Sequence, residues 1–284
     1  MSHPTVRRRR LGYELRRLRE AAGLKLEDVQ SRTTLNVAKV SRIETARFGV
    51  KAADLEILLD LYDVDDPGKR TLLHTLAKDG ARRGWWQTYR DIISPEYAEL
   101  ISLEADASGM RTYQTTLIPG LLQTSAYARA TIGAINITST RETVNALVEV
   151  RMARQAVLTR PNPLEMWAII HESALRTRLP DKHAMREQLQ KLLDLAELSH
   201  VSIQVLPLDS PPHPGLAGPF AAISFPEAGP DLDVVLLEQS TSALYVEDAP
   251  EVAIYGTVFD LLRAAALPFD ASADLIATTK DKLK

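Results

Sequence analysis

A small all-helical domain followed by a larger α+β domain is the fold class this 284-residue sequence predicts, and three observations predict it. Through roughly the first 80 residues, apolar side chains recur three and four apart, the spacing of one helix face after another. After about residue 160 the pattern changes to short β-branched or aromatic runs bounded by proline, glycine or aspartate, which read as strands. Charge divides the chain in the same sense. Met1 to Lys51 carries 13 Lys and Arg against 5 Asp and Glu, whereas the remainder carries 21 against 32. A basic first segment on an acidic remainder fits a polyanion-binding surface at one end, or simply a solvated basic helix. The length suggests two domains, which we place at residues 1–80 and 81–284.

The N-terminal elements follow in order. Leu11, Leu15 and Leu18, with Ala22, define a first helix that Gly23 ends as a left-handed cap. The run Arg7 to Arg10 precedes it, either as a tail lying along a nucleic-acid backbone or minor groove, or as a disordered solubilising tail. Arg16, Arg17 and Arg19 occupy that helix's polar face. A second helix starts near Lys25 with Leu26 and Val29 inward, and Leu35 sits in a turn. Asn36 caps a third helix with Val40 and Ile43 inward. Ala53, Leu55, Leu58, Leu59 and Tyr62 mark a fourth helix. Asp65-Asp66-Pro67 opens a fifth, which runs through Leu72, Leu73 and Leu76 towards Gly80.

Two short helices across a tight turn, Lys25 to Glu44, make a helix-turn-helix. A short helix with an apolar inner stripe and small, polar and basic outer residues has the dimensions of a DNA major groove. The candidate DNA-contacting residues are Lys25, Asn36, Val37, Ala38, Lys39, Ser41, Arg42 and Arg47. Lys39, Ser41 and Arg42 are placed to contact bases or phosphates, and a guanidinium can pair bidentately with guanine; the plain alternative pairs Arg42 with Glu44 or an acid of the first helix.

Gly23-Leu24, Val29, Leu35 and Val40-Ser41-Arg42-Ile43-Glu44 resemble the XRE class of phage-repressor-like helix-turn-helix regulators, over residues 7 to 64. The resemblance implies an all-α five-helix DNA-binding domain. Leu26, Gln30, Thr34 and Ala46 depart from that class, which has glutamine, alanine, glycine and glycine there. The departures imply a lost polar contact at Leu26, a crowded helix crossing at Gln30, and at Thr34 a β-branched residue where a positive φ is expected, costing about 1 kcal/mol or more.

Further along, Gly84-Trp85-Trp86, Tyr97, Leu103-Glu104-Ala105, Ile118 to Thr124, Tyr127-Ala128-Arg129, Arg151 to Gln155 and His171-Glu172 resemble the uncharacterised C-terminal domain found behind such motifs in many actinobacterial regulators. That resemblance implies a protein-binding or signal-receiving role and a small acidic partner protein; we expect this domain also to form a homodimer and to take its signal from that partner or from a small ligand. The candidates for such contacts are Trp85, Trp86, Gln123, Arg151, Arg154 and His171. The tryptophans alternatively anchor one domain to the other. The stretch from Pro119 to Thr124 alternatively is only a turn and helix start.

Spacing alone predicts a helix opening at Pro119-Gly120, another from Thr143 to Leu158, a third from Asp181 to Ser199, and a last long one from Asp248 to Ala266. It predicts four strands, Glu165 to His171, Val201 to Leu206, Phe220 to Phe225 and Val234 to Glu238, in a mixed sheet. A loop, Ser210 to Gly218, joins two of them as a lid or a stiff connection.

Composition narrows the function classes. The chain has no cysteine, so disulfides, thiolate metal sites and cysteine nucleophiles are absent, which is compatible with a reducing cytoplasm. No run approaches 18 apolar residues, and charged side chains replace the apolar region an export signal needs. His171-Glu172 begins like a zinc-binding HExxH, but Leu175 stands where the second histidine belongs. Paired acid, base and nucleophile at usable spacing are lacking. The expectation is a cytoplasmic, non-enzymatic regulator without metal or cofactor, binding double-stranded DNA. The alternative is an antitoxin-like module that sequesters a small partner, with DNA binding secondary.

Overall fold

A computed structural model describes residues 5–79, 84–225, 233–239 and 242–283. The chain divides into two compact units, residues 1–87 and 88–284.

The N-terminal unit consists of α1 (Val6–Ala21), α2 (Leu26–Arg32), α3 (Val37–Glu44), α4 (Ala52–Leu61) and α5 (Pro67–Asp79), followed by a short 3-10 helix, Trp85–Tyr89, that reaches the boundary. The five expected helices are present, but α1 is longer than its apolar spacing indicated. Thr5 caps it by accepting a hydrogen bond from the Arg8 N–H at 3.3 Å, so Arg7 to Arg10 form its first turns instead of a tail. Gly23, at φ +71°, ends α1 as expected, with the Leu24 N–H donating back to the Arg19 carbonyl at 3.1 Å. Asp66 Oδ1 accepts from the Gly68 N–H at 2.8 Å at the start of α5, beside Pro67. Leu11, Leu15, Val29, Leu35, Val40, Ile43, Leu55, Leu58, Leu59 and Leu73 are buried in this unit.

The C-terminal unit is α+β. It begins with α6 (Pro95–Asp106) and β1 (Gly109–Gln114), then α7 (Ser125–Ile135) and α8 (Arg141–Arg154). Strand β2 (Glu165–His171), the short α9 (Glu172–Leu175) and α10 (Lys182–Ala196) lead to β3 (Val201–Leu206). Three antiparallel strands, β4 (Phe220–Ser224), β5 (Val234–Glu238) and β6 (Ala243–Val246), precede α11 (Ala249–Ala265) and α12 (Phe269–Asp281). The sheet order is β3-β2-β1-β4-β5-β6, with β1, β2 and β3 parallel and the other neighbours antiparallel. One face buries Tyr113, Ile169, Leu206, Phe220 and Val235 against Phe259 and Leu262 of α11.

The four expected strands are all present, and two more were not expected. β1 lies in the middle of the sheet yet reads as polar, because Thr112 Oγ1 donates to the Phe220 carbonyl at 3.0 Å and Gln114 Nε2 donates to Thr112 Oγ1 at 3.1 Å. Its polar groups are satisfied internally, so burial does not require an apolar run. β6 has only four residues, too few for an alternation to register. Nor does Pro119-Gly120 open one helix: a 3-10 turn, Gly120–Leu122, is followed by α7, which Thr124 caps by accepting from the Tyr127 N–H at 3.2 Å. The expected helix to Leu158 ends at Arg154 and tightens into a 3-10 turn.

Helix α12 was also missed, and its role is to close a sheet edge. Ser272, fully buried in α12, accepts from the Val205 N–H at 3.0 Å and donates to the Leu267 carbonyl at 3.1 Å. The Leu267 N–H in turn donates to the Val205 carbonyl at 2.9 Å. Backbone groups on β3 that an edge strand leaves unpaired are thereby used up. No single described helix is long and apolar enough to cross a membrane; α11 and α12 meet that test only as a pair bent by 70°.

Candidate nucleic-acid interface

Helix α3 is held from three sides. Its first turn is capped by Asn36, whose Oδ1 accepts from the Lys39 N–H at 2.8 Å, and by Gln30, whose Oε1 accepts from the Val37 N–H at 3.0 Å. Its last turn is tied to α1. Arg19 Nε and Nη2 donate to the two Glu44 oxygens at 2.7 and 2.9 Å, while Arg19 Nη1 reaches the Leu24 carbonyl at 2.8 Å. Both side chains are under 10% exposed. The hydrogen bond and charge of Glu44 raise the Arg19 pKa, and burial opposes that rise only in part. Alongside, burial and the Glu44 charge push the Tyr62 hydroxyl far above the usual tyrosine range. Gly12 makes the α1–α3 approach possible: a Cβ there would stand 2.7 Å from the Ile43 and Glu44 carbonyl oxygens.

With Val40, Ile43 and Glu44 turned inward, Ala38, Ser41, Arg42 and Thr45 share the outward stripe of α3 at helical spacing. Ala38 and Arg42 are exposed, and Ser41 and Val37 are half-buried. The Arg42 guanidinium lies 5.1 Å from the centre of the exposed Phe48 ring. It therefore pairs neither with Glu44 nor with an acid of α1. Lys39 leans away from the stripe, its Nζ 2.8 Å from Asp54 Oδ2 of α4. Arg47 and Lys25 are exposed. Lys25 forms the N-cap of α2, its backbone N–H donating to Asp28 Oδ2 at 2.7 Å.

Arg19 is the main revision on α1: expected on a polar face, it is buried. The anticipated faults in the turn are also relieved. Gln30 is exposed and serves as a cap, so it does not crowd the crossing. Thr34 has no positive φ; the turn is instead closed by Thr33, whose Oγ1 donates to the Val29 carbonyl at 2.7 Å and accepts from the Leu35 N–H at 3.1 Å. The left-handed residue is Ala46, at φ 58°, just past α3. Sequence reasoning also missed Phe48, in the segment after α3, and Asp54, on α4, because no spacing pattern links either to a side chain of α3.

The candidates outside the helix-turn-helix separate. Trp86 is buried and Trp85 exposed, edge to face with centroids 6.0 Å apart, both in the N-terminal unit. Gln123, Arg151 and Arg154 are brought together in the C-terminal unit. Arg154 is buried and donates through Nε to Glu104 Oε2 at 2.8 Å, through Nη2 to Glu104 Oε1, and through Nη1 to the Tyr97 hydroxyl at 2.7 Å. Burial works against its charge, but Glu104 and Tyr97 outweigh that and hold its pKa well above the usual value. Arg151 donates through Nε to the same hydroxyl at 3.1 Å and through Nη1 to Gln123 Oε1 at 2.9 Å. Gln123 Nε2 donates to the Ile118 carbonyl at 2.7 Å, and Lys191 Nζ to the Gln123 carbonyl at 2.8 Å. Burial lowers the Lys191 pKa. The stretch from Ile118 to Gln123 is therefore pinned by a shared polar network.

His171 belongs to a different arrangement. It ends β2 and caps α9, its Nδ1 2.6 Å from Ser173 Oγ. Burial and the nearby His213 lower its pKa. Glu172 accepts from the Leu208 N–H at 3.0 Å and pairs with Arg176, and Leu175 is fully buried, which is a packing role for the residues that resembled a zinc motif.

A short capped helix, locked on its inner sides and carrying small, polar and cationic groups outward, is the recognition element of a helix-turn-helix DNA-binding protein. Comparison with known families agrees: residues 10–72 match the helix-turn-helix domain family, and residues 97–278 match a domain of unknown function, DUF5753. The second match spans more than half of the chain, and the chain belongs to that family. No curated protein and no solved structure matches it.

Proposed function

We propose that the chain is a sequence-specific transcription regulator of the phage-repressor-like class. In this reading it acts in the cytoplasm as a homodimer on double-stranded DNA, and its C-terminal unit receives the controlling signal without catalysing a reaction. The observation that carries the reading is the outward stripe of α3. Ala38 and Ser41 are small enough to let the helix backbone approach base edges, and Arg42, propped on Phe48, offers a bidentate donor. Arg47 and Lys25 supply phosphate contacts, as does the Val37 end of α3, where Asn36 and Gln30 order the helix start. Lys39, drawn to Asp54, orients α4 against α3 and contributes less to the DNA. Gel shifts on DNA upstream of the gene test this. Arg42→Ala should weaken specific binding by roughly 1 to 3 kcal/mol. Binding that is absent at low salt, or indifferent to Arg42, would contradict it.

The exposed side of α11 supports the dimer. Pro250, Ile254, Thr257, Leu261 and Ala264 are all exposed and follow the alternating four- and three-residue spacing of a helix–helix seam. The helix carries only three charged residues, Glu251, Asp260 and Arg263. Two copies packed antiparallel would bury Ile254 and Leu261 together. A two-fold dimer then presents two copies of α3 to half-sites about one helical turn apart. Sedimentation of Ile254→Glu should show a monomer with much weaker operator binding; an unchanged dimer would sink the seam.

A further inference from the structure

Resting on the reading that the C-terminal unit receives a signal, we propose that the cleft between α6, α8 and the β5–β6 hairpin binds a small monocarboxylate with an apolar chain, its carboxylate on Arg151. The cleft has a volume of about 360 Å3, within the range of small-molecule sites. Its walls are mixed: Ser94, Asn136, Gln239 and Ser242 bring polar groups to the surface, over a buried apolar floor of Ile93, Leu100, Ile132 and Leu236, each less than 10% exposed. Arg151 and the hydroxyl-bearing rings of Tyr97 and Tyr245 supply polar groups on the same walls.

The ligand class follows from the state of Arg151. A guanidinium has five N–H donors. Two are used, by Tyr97 and Gln123, and among the described residues no carboxylate pairs with this half-buried cation. Arg154, one turn further along α8, has its charge matched bidentately by Glu104. A partly desolvated cation without a counter-ion is costly, and a carboxylate from outside would use two of its remaining donors in a parallel pair. Arg151 is also held in place: Gly120 leaves room for it, since a Cβ there would lie 3.2 Å from Arg151 Cδ. Glu238 lines the same cleft and disfavours negative charge on the ligand beyond the one that Arg151 pairs. The site therefore selects a single carboxylate followed by about five or six carbons, an estimate from pocket size and ligand dimensions.

The full-length protein is titrated with hexanoate by calorimetry, with adipate and hexylammonium as controls. Saturable one-to-one binding of hexanoate is expected, with adipate and hexylammonium at least roughly tenfold weaker. Arg151→Gln should weaken hexanoate about tenfold or more and Arg151→Lys less, because the charge remains. Ala243→Trp, which fills the cleft without touching the arginine network, should abolish it. No hexanoate binding, equal binding of hexylammonium, or binding unchanged in both Arg151→Gln and Ala243→Trp overturns the site. DNA affinity is measured on the same samples. Hexanoate binding without any change in DNA affinity keeps the site and overturns the signal-receiving role; loss of the site with DNA binding intact leaves the regulator reading standing.

Discussion

Each unit of the chain contains a buried arginine held bidentately by a glutamate: Arg19 with Glu44 in the first, and Arg154 with Glu104 in the second. Close to each stands another arginine that pairs with no carboxylate among the described residues, Arg42 on α3 and Arg151 on α8. The paired arginine fixes a helix, and the unpaired one is what that helix presents. The environments differ in a telling way. Arg42 is exposed beside an aromatic ring on a convex helix, as suits a contact to a large polyanion. Arg151 is half-buried on the wall of an open cleft, as suits a contact to one small anion.

The comparison breaks most directly if the paired arginines are not scaffold. Glu104→Ala strands a fully enclosed guanidinium and should cost about 3 to 5 kcal/mol in urea denaturation, whereas replacing both partners by apolar residues of similar volume should restore most of that. Next in size, Glu44→Ala should destabilise the first unit by about 3 kcal/mol and weaken DNA binding together with that unit's share of the helical circular dichroism. A loss of DNA binding with full helicity would instead make Glu44 a contact residue. Lys39→Ala, which removes a partly exposed ion pair with Asp54, should cost at most about 1 kcal/mol and change DNA affinity far less than Arg42→Ala.

The smallest effect concerns His171. Its pKa is lowered in the folded protein, so the folded state takes up its proton less readily than the unfolded chain. Its contribution is complete above the ordinary histidine pKa of about 6.5 and is lost as pH falls through that value towards the folded one. His171→Asn, which can still cap α9, should flatten the melting temperature across mildly acidic pH.

Much of the N-terminal unit was legible because its helices are local: Asn36, Gly23 and Asp66-Pro67 announce their caps within three residues. Arg19 was not, since its partner lies 25 residues away and an arginine on a helix reads as surface. The C-terminal strands with apolar runs were legible, but β1 was hidden by Thr112 and Gln114, whose hydrogen bonds satisfy polarity inside the sheet. Helix α12 was hidden because its purpose, covering the β3 edge through Ser272, depends on a strand 67 residues away. Gln123, Arg151 and Arg154 were named with Trp85, Trp86 and His171 as candidate contacts; the structure brings only those three together, through Tyr97 and Glu104, which had no signal in spacing and stood out only through the family resemblance.

The most direct measurement is the affinity of the full chain for double-stranded operator DNA as a function of salt, for the native protein and for Arg42→Ala combined with Arg47→Ala. The α3 face predicts a linear fall of log affinity with log salt, by about 0.9 per phosphate contact, and a shallower slope with weaker binding in the double variant at unchanged thermal stability. Equal slopes and equal affinities in the two proteins would contradict it.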